Sequence, residues 1–579
     1  MTKTIVRGLA AVTCFAAVGC ASLDIANPNE PNNKSALADP NAIESVAAGA
    51  IRTWFNAYTD LRGAGVLVTQ ARSFSSSWNN GNILTYDAVA NPTAPPDQWV
   101  RTVGWRNDPA SNQRTSIDAF WSGGLDESAT PRGGFYNSLS SANDALSAIR
   151  KNGVVINNAS DTKRAETIAA FMQGASLMMF ALSYDKAYIV TDSTTDAQLA
   201  ALAYSNRKLL RDTAVVKLKQ AIALASANTF TTPAAWTNGV AYTNVQIAQI
   251  ANTMAAMTLA YYPRDSTELA GVDWAAVEGF ASNGMGSGTP VDFMLVQDGY
   301  ASWISELMSW FDAIDTGRLH TRVAHLMDPA TQKDPWPLSP GNPQPNSPDL
   351  RLGDGTFGNT GNVASFGTVP KDAGAGTDYA WSGTAIFRPS RGFYHQSNIA
   401  QIRYDFSGVQ DPQGTYGGFG PAPAIMRSQA DLLWAEALLR QNKINGKLFG
   451  LIDKTRVTRG GLPTSALNAG LIGTTADGPC MSNGTLASTG GACSLWSVLL
   501  YEKEVELPGQ GAAPFWEQRR LPIVVGGGWA GDNSPKRIIQ GLLPGTPREM
   551  PVPYKELGVK GETLYSWGGA NPPKSPTPP

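Results

Sequence analysis

Apolar residues recur at helical spacing along most of the chain. Phe135, Leu139, Ala142, Leu146 and Ile149 fall at i, i+4, i+7, i+11 and i+14, which places them on one face of an amphipathic helix. The same pattern predicts helices over 42–58, 213–225, 244–261, 424–441, 448–457 and 495–506. The stretch 165–184 is apolar on nearly all sides, which predicts a helix packed between other helices.

Two long stretches, at about 63–132 and 329–420, lack this periodicity and are rich in Gly, Pro, Ser and Asn. These residues favour turns and loops, so we expect two large inserts of ordered loops. Within them the pattern predicts a short helix at 116–121 and a short strand at 402–406.

The pattern as a whole predicts a mainly α fold. Helices that pack in antiparallel pairs, each pair burying its apolar face on the next, form an α-solenoid. We therefore predict a tetratricopeptide-like α-solenoid scaffold with large irregular loop inserts and a few short strands. The roughly 34-residue signature of tetratricopeptide repeats is not visible, so this prediction rests on helix spacing.

The N-terminus has the pattern of a secretory signal peptide. A charged start is followed by an apolar run over 8–18, which is shorter than the roughly 20 residues that span a bilayer. The run ends in Ala17-Val18-Gly19-Cys20, which resembles a bacterial lipobox. We predict that residues 1–19 are removed and that Cys20 is lipidated. An ordinary secretory signal with an incidental Cys20 is the alternative.

The rest of the chain divides simply. Residues 20–38 repeat Asn and Pro and are predicted to form an extended tether, followed by a single domain at 39–571. The Pro-rich tail at 572–579 is predicted to be disordered. No second apolar run of membrane-spanning length follows the N-terminus.

Composition favours an extracellular binding protein over a cytosolic enzyme, because only 16% of residues are charged while Gly (58), Pro (38) and Trp (16) are numerous. The chain carries 45 basic and 47 acidic residues, a net charge of −2, so it lacks the excess of basic residues that is typical of nucleic-acid-binding proteins.

The cysteines suggest a structural disulfide. Cys14 leaves with the signal peptide and Cys20 carries lipid, so Cys480 and Cys493 remain. In an exported protein such a pair is most simply a disulfide, and closing this short loop would contribute about 3 kcal/mol. Zinc would need more ligands than this pair offers.

Several motifs, in order and spacing, resemble the SusD/RagB family of outer-membrane nutrient-uptake lipoproteins. The most specific are 426–437, similar to the family's "lRyAEvlLxyAEA", and 452–463, similar to "iNxVRxRAGLP". Weaker matches lie at 132–149, 164–184 and 252–262. The resemblance covers most of the mature chain.

The C-terminal family signature is only partly present. Residues 502–507 fit its start and 550–557 its end, but Gln510, Ala513 and Trp516 stand where the family has Glu, Arg and Asp. We expect packing of Phe515 and Trp516 to replace the internal Arg–carboxylate contacts of this segment.

The resemblance implies a SusD-like fold and a place on the extracellular face of the outer membrane, held there by the lipid anchor. It also implies a partner, a SusC-like TonB-dependent transporter, which such proteins cover like a lid. The ligand would be an oligosaccharide or an oligopeptide. No cofactor is implied.

A sugar-binding surface needs flat aromatic rings and side chains that hydrogen-bond to hydroxyls. The inserts supply both kinds. The candidate ligand-binding residues are Trp78, Asn79, Asn80, Tyr86, Trp99, Trp105, Trp336 and Trp381. The alternative is that these aromatic residues close small cores beneath the loops. Trp303 and Trp310 lie at helical spacing and are predicted to be core or partner-facing, while Trp434 in its helix is predicted to be core.

An enzyme and a protein-only scaffold are the two alternative function classes. A surface glycoside hydrolase needs paired carboxylates, and Asp126/Glu127, Asp312/Asp315 and Glu502/Glu506 are better explained as solvated helix faces. His320 and His325 would lie on different faces of a helix, so a metal-binding pair is not predicted. Asp-rich loops could hold Ca²⁺, but no EF-hand pattern appears in support of such a site. A helical scaffold that binds only proteins is the remaining alternative.

Overall fold

The structure is a computed structural model that describes most of the region from Ala38 onward. The described residues are 38–76, 83–87, 101, 103–105, 114–123, 133–298, 302–307, 317–334, 342–352, 378–381, 396–401, 403, 419–472, 493–524, 542–543 and 545–569. The predicted signal peptide, Cys20, nearly all of the tether and the Pro-rich tail lie outside them.

The described part of the chain is mainly helical, as predicted. The α-helices are α1 Pro40–Tyr58, α2 Val66–Gln70, α3 Ile83–Asp87, α4 Arg114–Trp121, α5 Phe135–Arg150, α6 Ala159–Ser183, α7 Asp196–Ala200, α8 Arg207–Ala227, α9 Asn244–Ala260, α10 Ser266–Ala270, α11 Trp274–Ser282, α12 Thr321–Met327, α13 Arg427–Arg440, α14 Gly446–Arg456, α15 Leu495–Glu506, α16 Ala513–Val524 and α17 Tyr554–Lys560. A π-helix spans Leu61–Gly65, and 3₁₀ turns span Ala234–Thr237 and Ser465–Asn468.

The long helices pack in a series, which is the arrangement expected of a solenoid-like scaffold. Helix α1 packs on α5, α5 on α6, α6 on α8, α8 on α9, α9 on α11 and α11 on α13. The stripe residues Phe135, Leu139, Ala142 and Leu146 are all buried in this series. Helical periodicity therefore identified the faces on which the helices pack.

Helix α6 lies at the centre of the scaffold. It begins at Ala159, six residues before the predicted start, because Asn158 caps it by accepting a hydrogen bond from the backbone N–H of Asp161. Its polar first turn carries no apolar stripe, so periodicity could not find it. By length and hydropathy, α6 is the one helix in the described ranges that could cross a membrane, yet its apolar window is wholly buried inside the protein.

The strands are short and form five two-stranded antiparallel sheets among the described residues. The pairs are β1 Phe74–Ser76 with β6 Gly317–Leu319, β2 Val103–Trp105 with β10 Trp567–Gly569, β3 Lys186–Ala187 with β4 Ser205–Asn206, β5 Phe293–Asp298 with β9 Phe419–Ile425, and β7 Tyr379–Trp381 with β8 Ile399–Gln401. β8 ends at Gln401, just before the strand predicted at 402–406. Within that range the structure describes only Arg403, which lies in a turn, so the prediction stays untested at 402 and 404–406.

The start of the first insert differs from the loop that was expected over a helical base. Residues 61–76 are all buried and run through the π-helix and α2 into β1. A Cβ added at Gly63 would collide with the ring of Phe120, so glycine is what allows α4 to pack this closely. A glycine that permits such close packing contributes no apolar side chain to a periodic pattern, so the sequence alone does not reveal this part of the core.

The apolar interior forms two clusters in the described residues. The large one joins the helical series to the base of the inserts. The smaller one joins α13, α14 and α15 and includes Leu432, Leu448, Leu499 and Cys493.

Candidate ligand-binding site at the base of the inserts

A buried ion pair joins the two inserts. The guanidinium of Arg72 lies 2.7 Å from a carboxylate oxygen of Asp334, and neither side chain is more than 1% exposed. The other carboxylate oxygen of Asp334 accepts a hydrogen bond from the hydroxyl of Thr321 at 2.7 Å. Pairing of β1 with β6, with Ser75 opposite Arg318, joins the first insert to the segment that precedes the second insert.

Arg72 has a left-handed backbone conformation, with φ of +55°. This conformation is costly for a residue with a Cβ atom and persists only where the surroundings determine it. Here the backbone carbonyl of Arg72 accepts a hydrogen bond from Arg322, and its side chain is held by Asp334. The base of the inserts is therefore fixed in one conformation.

A second buried ion pair lies within the first insert. Arg101 is 3.4 Å from Asp87, whose other oxygen accepts a hydrogen bond from the hydroxyl of Ser75 at 2.9 Å. Arg101 also donates to the backbone carbonyl of Gln70 at 3.1 Å. Burial lowers the pKa of Arg101, and the neighbouring Asp87 opposes that effect. We call Arg72, Ser75, Asp87, Arg101 and Asp334 the anchor cluster.

A buried arginine connects helix α15 to the anchor cluster. Arg322 donates to Glu504 of α15 at 2.6 Å while also bonding to the carbonyl of Arg72. The scaffold thereby holds the base of both inserts through fully buried charges.

The ion pairs of α15 correct two expectations. Glu502 and Glu506 are fully buried and bind Arg351 at 2.7 Å and 3.0 Å, so they are not a solvated face. Arg–carboxylate contacts in this segment are not replaced by the packing of Phe515 and Trp516. They are made inside the segment by Arg520, 2.5 Å from Glu517, and otherwise by arginines from distant segments, which a local motif comparison cannot reveal.

Burial and ion pairing together shift the pKa values of this network. Burial raises the pKa of Glu502, although Arg351 opposes it. For Arg351 itself, burial alone would lower the pKa, but the surrounding carboxylates Asp349 and Glu502 outweigh it and raise the pKa well above its usual value. Arg351 pairs with both Glu502 and Glu506, so these two carboxylates have structural partners inside the fold.

Two of the sequence-predicted ligand residues are buried in this structure. Tyr86 and Trp105 have no exposed surface, and their ring centroids lie 4.7 Å apart. They are therefore core residues, but they belong to the large apolar cluster and not to a separate small core beneath the loops. Neither presents an exposed ring to a ligand. Sequence alone could not separate this case from an exposed platform, because both place tryptophan among loop residues.

Of the other candidate ligand residues, the structure describes only Trp381. Trp381 is the last residue of β7. The residues Trp78, Asn79, Asn80, Trp99 and Trp336 lie outside the described residues. Trp303 is buried, as expected, while Trp434 is half-buried and Trp310 lies outside.

The remaining chemistry-bearing residues have structural partners. His320 accepts a hydrogen bond from the backbone N–H of Arg322 at the start of α12, and His325 bonds to the carbonyl of Gln332. No group of three or more metal-ligating side chains occurs among the residues that the structure describes. Cys493 is disulfide-bonded, and its predicted partner Cys480 lies outside those residues.

Comparison with known proteins identifies the fold. No family model and no curated protein sequence matches the chain. Among solved structures, a SusD-like protein from Bacteroides fragilis aligns with a TM-score of 0.50 at 12% identity, covering 84% of this chain and 87% of that one. The chain has a SusD-like fold.

Two further solved structures align less closely. A SusD superfamily protein from Parabacteroides distasonis has a TM-score of 0.49 at 13% identity, covering 90% of this chain and 97% of that one. A SusD-like carbohydrate binding protein from Bacteroides fragilis has a TM-score of 0.43 at 14% identity, covering 80% and 87%. The SusD-like fold rests on the first alignment, together with the mainly helical architecture and its short strands.

Proposed function

We propose that this protein is a lipid-anchored binding protein of the bacterial cell surface. It captures a glycan, or in the alternative an oligopeptide, and delivers it to a SusC-like TonB-dependent transporter. Its task is capture and release rather than conversion. The SusD-like fold and the lipobox-like sequence at Cys20 support this role, although a fold by itself does not determine a function.

The anchor cluster is the observation that carries the proposal. Three of the predicted ligand tryptophans lie two residues along the chain from buried residues at the base of the inserts: Trp78 from Ser76, Trp99 from Arg101 and Trp336 from Asp334. The three tryptophans themselves lie outside the described residues. Their closeness in sequence to buried residues of both inserts supports a site to which segments distant in sequence contribute.

The lipid anchor would set where the protein works. Each buried CH₂ of an acyl chain contributes about 0.8 kcal/mol, so two or three chains hold a protein on a membrane almost permanently. A binding protein held in this way would keep its ligand beside the channel. Mass spectrometry of the mature N-terminus tests this step, and an unmodified Cys20 would contradict it.

Binding is tested with the full mature chain on arrays of oligosaccharides and of peptides. We expect binding to one glycan class, weakened about tenfold or more in Trp78→Ala or Trp336→Ala. Trp434→Ala is the matched control, since Trp434 is half-buried on α13 with the ammonium of Lys447 4.0 Å from its ring centroid. Binding to neither class, with capture of the transporter intact, would favour the protein-only scaffold.

A further inference from the structure

A cluster of aromatic side chains lies at the surface where the C-terminal segment crosses the scaffold. Tyr188 and Tyr204 stack with ring centroids 4.5 Å apart and planes inclined by 19°. Tyr565 and Trp567 of the C-terminal segment meet at 5.1 Å. We call these four residues, with Lys186 and Glu562, the C-terminal aromatic surface.

Lys186 joins the two aromatic pairs. Its ammonium lies 4.6 Å from the ring centroid of Tyr204 and 5.6 Å from that of Tyr565. The same ammonium is 2.9 Å from a carboxylate oxygen of Glu562. The four rings and the ion pair therefore form one contiguous surface built from two distant parts of the chain.

This surface is open to solvent in part. Tyr204, Tyr565 and Trp567 are half-buried, and the side chains of Lys186 and Glu562 are 32% and 41% exposed. Partly exposed rings beside accessible polar groups combine apolar area with hydrogen-bonding capacity, which is the pairing that a sugar ring requires. By contrast, Tyr86 and Trp105 are wholly enclosed.

The rings are held in place before any ligand arrives. The hydroxyl of Tyr136 bonds to both the backbone N–H and the carbonyl of Tyr188, at 2.6 Å and 3.0 Å. The hydroxyl of Tyr565 accepts from the N–H of Val552 at 3.0 Å and lies 3.1 Å from Asp185. Fixed side chains lose little entropy on binding, so a rigid surface binds more tightly than a mobile one.

The charges indicate the class of ligand. Lys186 and Glu562 neutralise each other. The charge of Lys560, 5.6 Å from the ring of Tyr188, is matched by Glu556, whose carboxylate also acts electrostatically on Tyr188. The surface thus offers ring faces, a paired donor and acceptor, and no excess charge for a charged peptide end or an acidic sugar. These features suit a neutral, polyhydroxylated ligand.

The surface also adjoins the base of the first insert. Trp567 of β10 is the register partner of Trp105 in β2, and Trp105 packs on Tyr86, the residue before Asp87 of the anchor cluster. An extended ligand held at the inserts could therefore reach the C-terminal aromatic surface.

We infer that the C-terminal aromatic surface is a second contact site for a neutral oligosaccharide, with Trp567 as the stacking platform and Lys186 and Glu562 as the groups that bind hydroxyls. The inference rests on the proposed function, because it extends the binding of the same glycan beyond the inserts. It assigns a role to three polar and aromatic residues that no sequence motif singled out.

The test uses the full mature chain and a panel of neutral linear hexasaccharides built from glucose, xylose or mannose, with titration calorimetry. We expect Trp567→Ala to weaken binding of the tightest panel member about tenfold. Glu562→Gln, at an exposed position, is expected to weaken it about threefold, because an amide oxygen is a weaker acceptor than a carboxylate and no longer forms an ion pair with Lys186. Trp434→Ala serves as the control of matched residue type, and thermal unfolding checks each variant.

The outcomes separate the two proposals. If the wild-type protein binds a panel member and neither Trp567→Ala nor Glu562→Gln changes the affinity, the second contact site is refuted while the proposed function stands. If the wild-type protein binds only acidic glycans, the inference of a neutral ligand fails while the proposed function stands. If it binds only peptides, the glycan assignment of both fails. Weakening that is confined to the two surface variants and absent from Trp434→Ala supports the inference.

Discussion

Arg351 lies at the centre of three carboxylates without any contact with solvent. Its guanidinium is within 3.0 Å of Asp349, Glu502 and Glu506, and all four side chains are fully buried. Removing one partner of a buried ion network leaves uncompensated charge, which is far more costly than losing a surface pair.

We therefore expect Arg351→Met to lower the free energy of unfolding by about 4 kcal/mol. Urea unfolding followed by circular dichroism measures the change. The exposed pair of Lys208 and Asp212, 2.9 Å apart, provides the control, and Lys208→Met should cost less than about 0.5 kcal/mol. A similar small cost for Arg351→Met would show that the network does not stabilise the fold.

Asp185 makes stability depend on pH. Burial raises the pKa of its carboxyl to about 7, with Glu549 adding to the effect while Tyr565 and Lys186 oppose it. Between about pH 4 and pH 7 the folded protein keeps a proton that the unfolded chain has released, so stability falls as pH rises through this window. Above about pH 7 the loss is complete and reaches at most about 4 kcal/mol.

Asp185→Asn should remove this pH dependence, because an amide oxygen can still accept from Tyr565 and cannot ionise. Thermal unfolding at pH 5 and pH 8 measures it, and the wild-type protein should lose more of its melting temperature between the two than the variant does. Asp196→Asn, at an exposed position in α7, should leave the wild-type difference unchanged. Equal pH dependence in wild-type protein and Asp185→Asn would contradict the assignment.

Arg519 holds the ends of two scaffold helices together. It donates to the carbonyl of Leu182 at the end of α6 at 2.6 Å and to that of Tyr261 just after α9 at 2.7 Å. Its positive charge also lies at the negative ends of both helix dipoles. Burial, with Arg207 nearby, lowers the pKa of Arg519 well below its usual value.

Arg519→Met should therefore lower the free energy of unfolding by about 3 kcal/mol, because two buried carbonyls lose their donor. Arg519→Lys should recover only part of this, since one ammonium lacks the planar fork that reaches both helix ends. Guanidinium chloride titrations of the three proteins provide the measurement. A lysine variant as stable as the wild type would show that charge alone suffices.

The disulfide at Cys493 should stabilise the start of α15. Cys493 is buried and directly precedes Ser494, whose side chain caps the helix. Closing the predicted loop to Cys480 is worth about 3 kcal/mol. The reduced wild-type protein should unfold at a lower denaturant concentration than the oxidised wild-type protein. Reduction should not change the unfolding midpoint of Cys493→Ala. An unchanged wild-type midpoint would argue against a stabilising disulfide.

Helices were the most predictable part of this protein. The stripe through Phe135, Leu139 and Leu146 gave α5 almost to the residue, because an amphipathic helix records its buried face in the spacing of its apolar side chains. The start of α6 was missed, because a polar capped turn carries no such record. The aromatic residues of the inserts were found by type, but Tyr86 and Trp105 proved to be buried.

By itself, the sequence determined the helices of the scaffold, since these depend on residue type and local spacing. Only the tertiary structure decided which aromatic rings are enclosed and which are exposed, and which arginine meets which carboxylate. Arg351 and Glu502 lie 151 positions apart in the sequence, and other partners in the buried network have similar separations. Contacts of that range depend on how the helices pack, and a local pattern of residues holds no information about them.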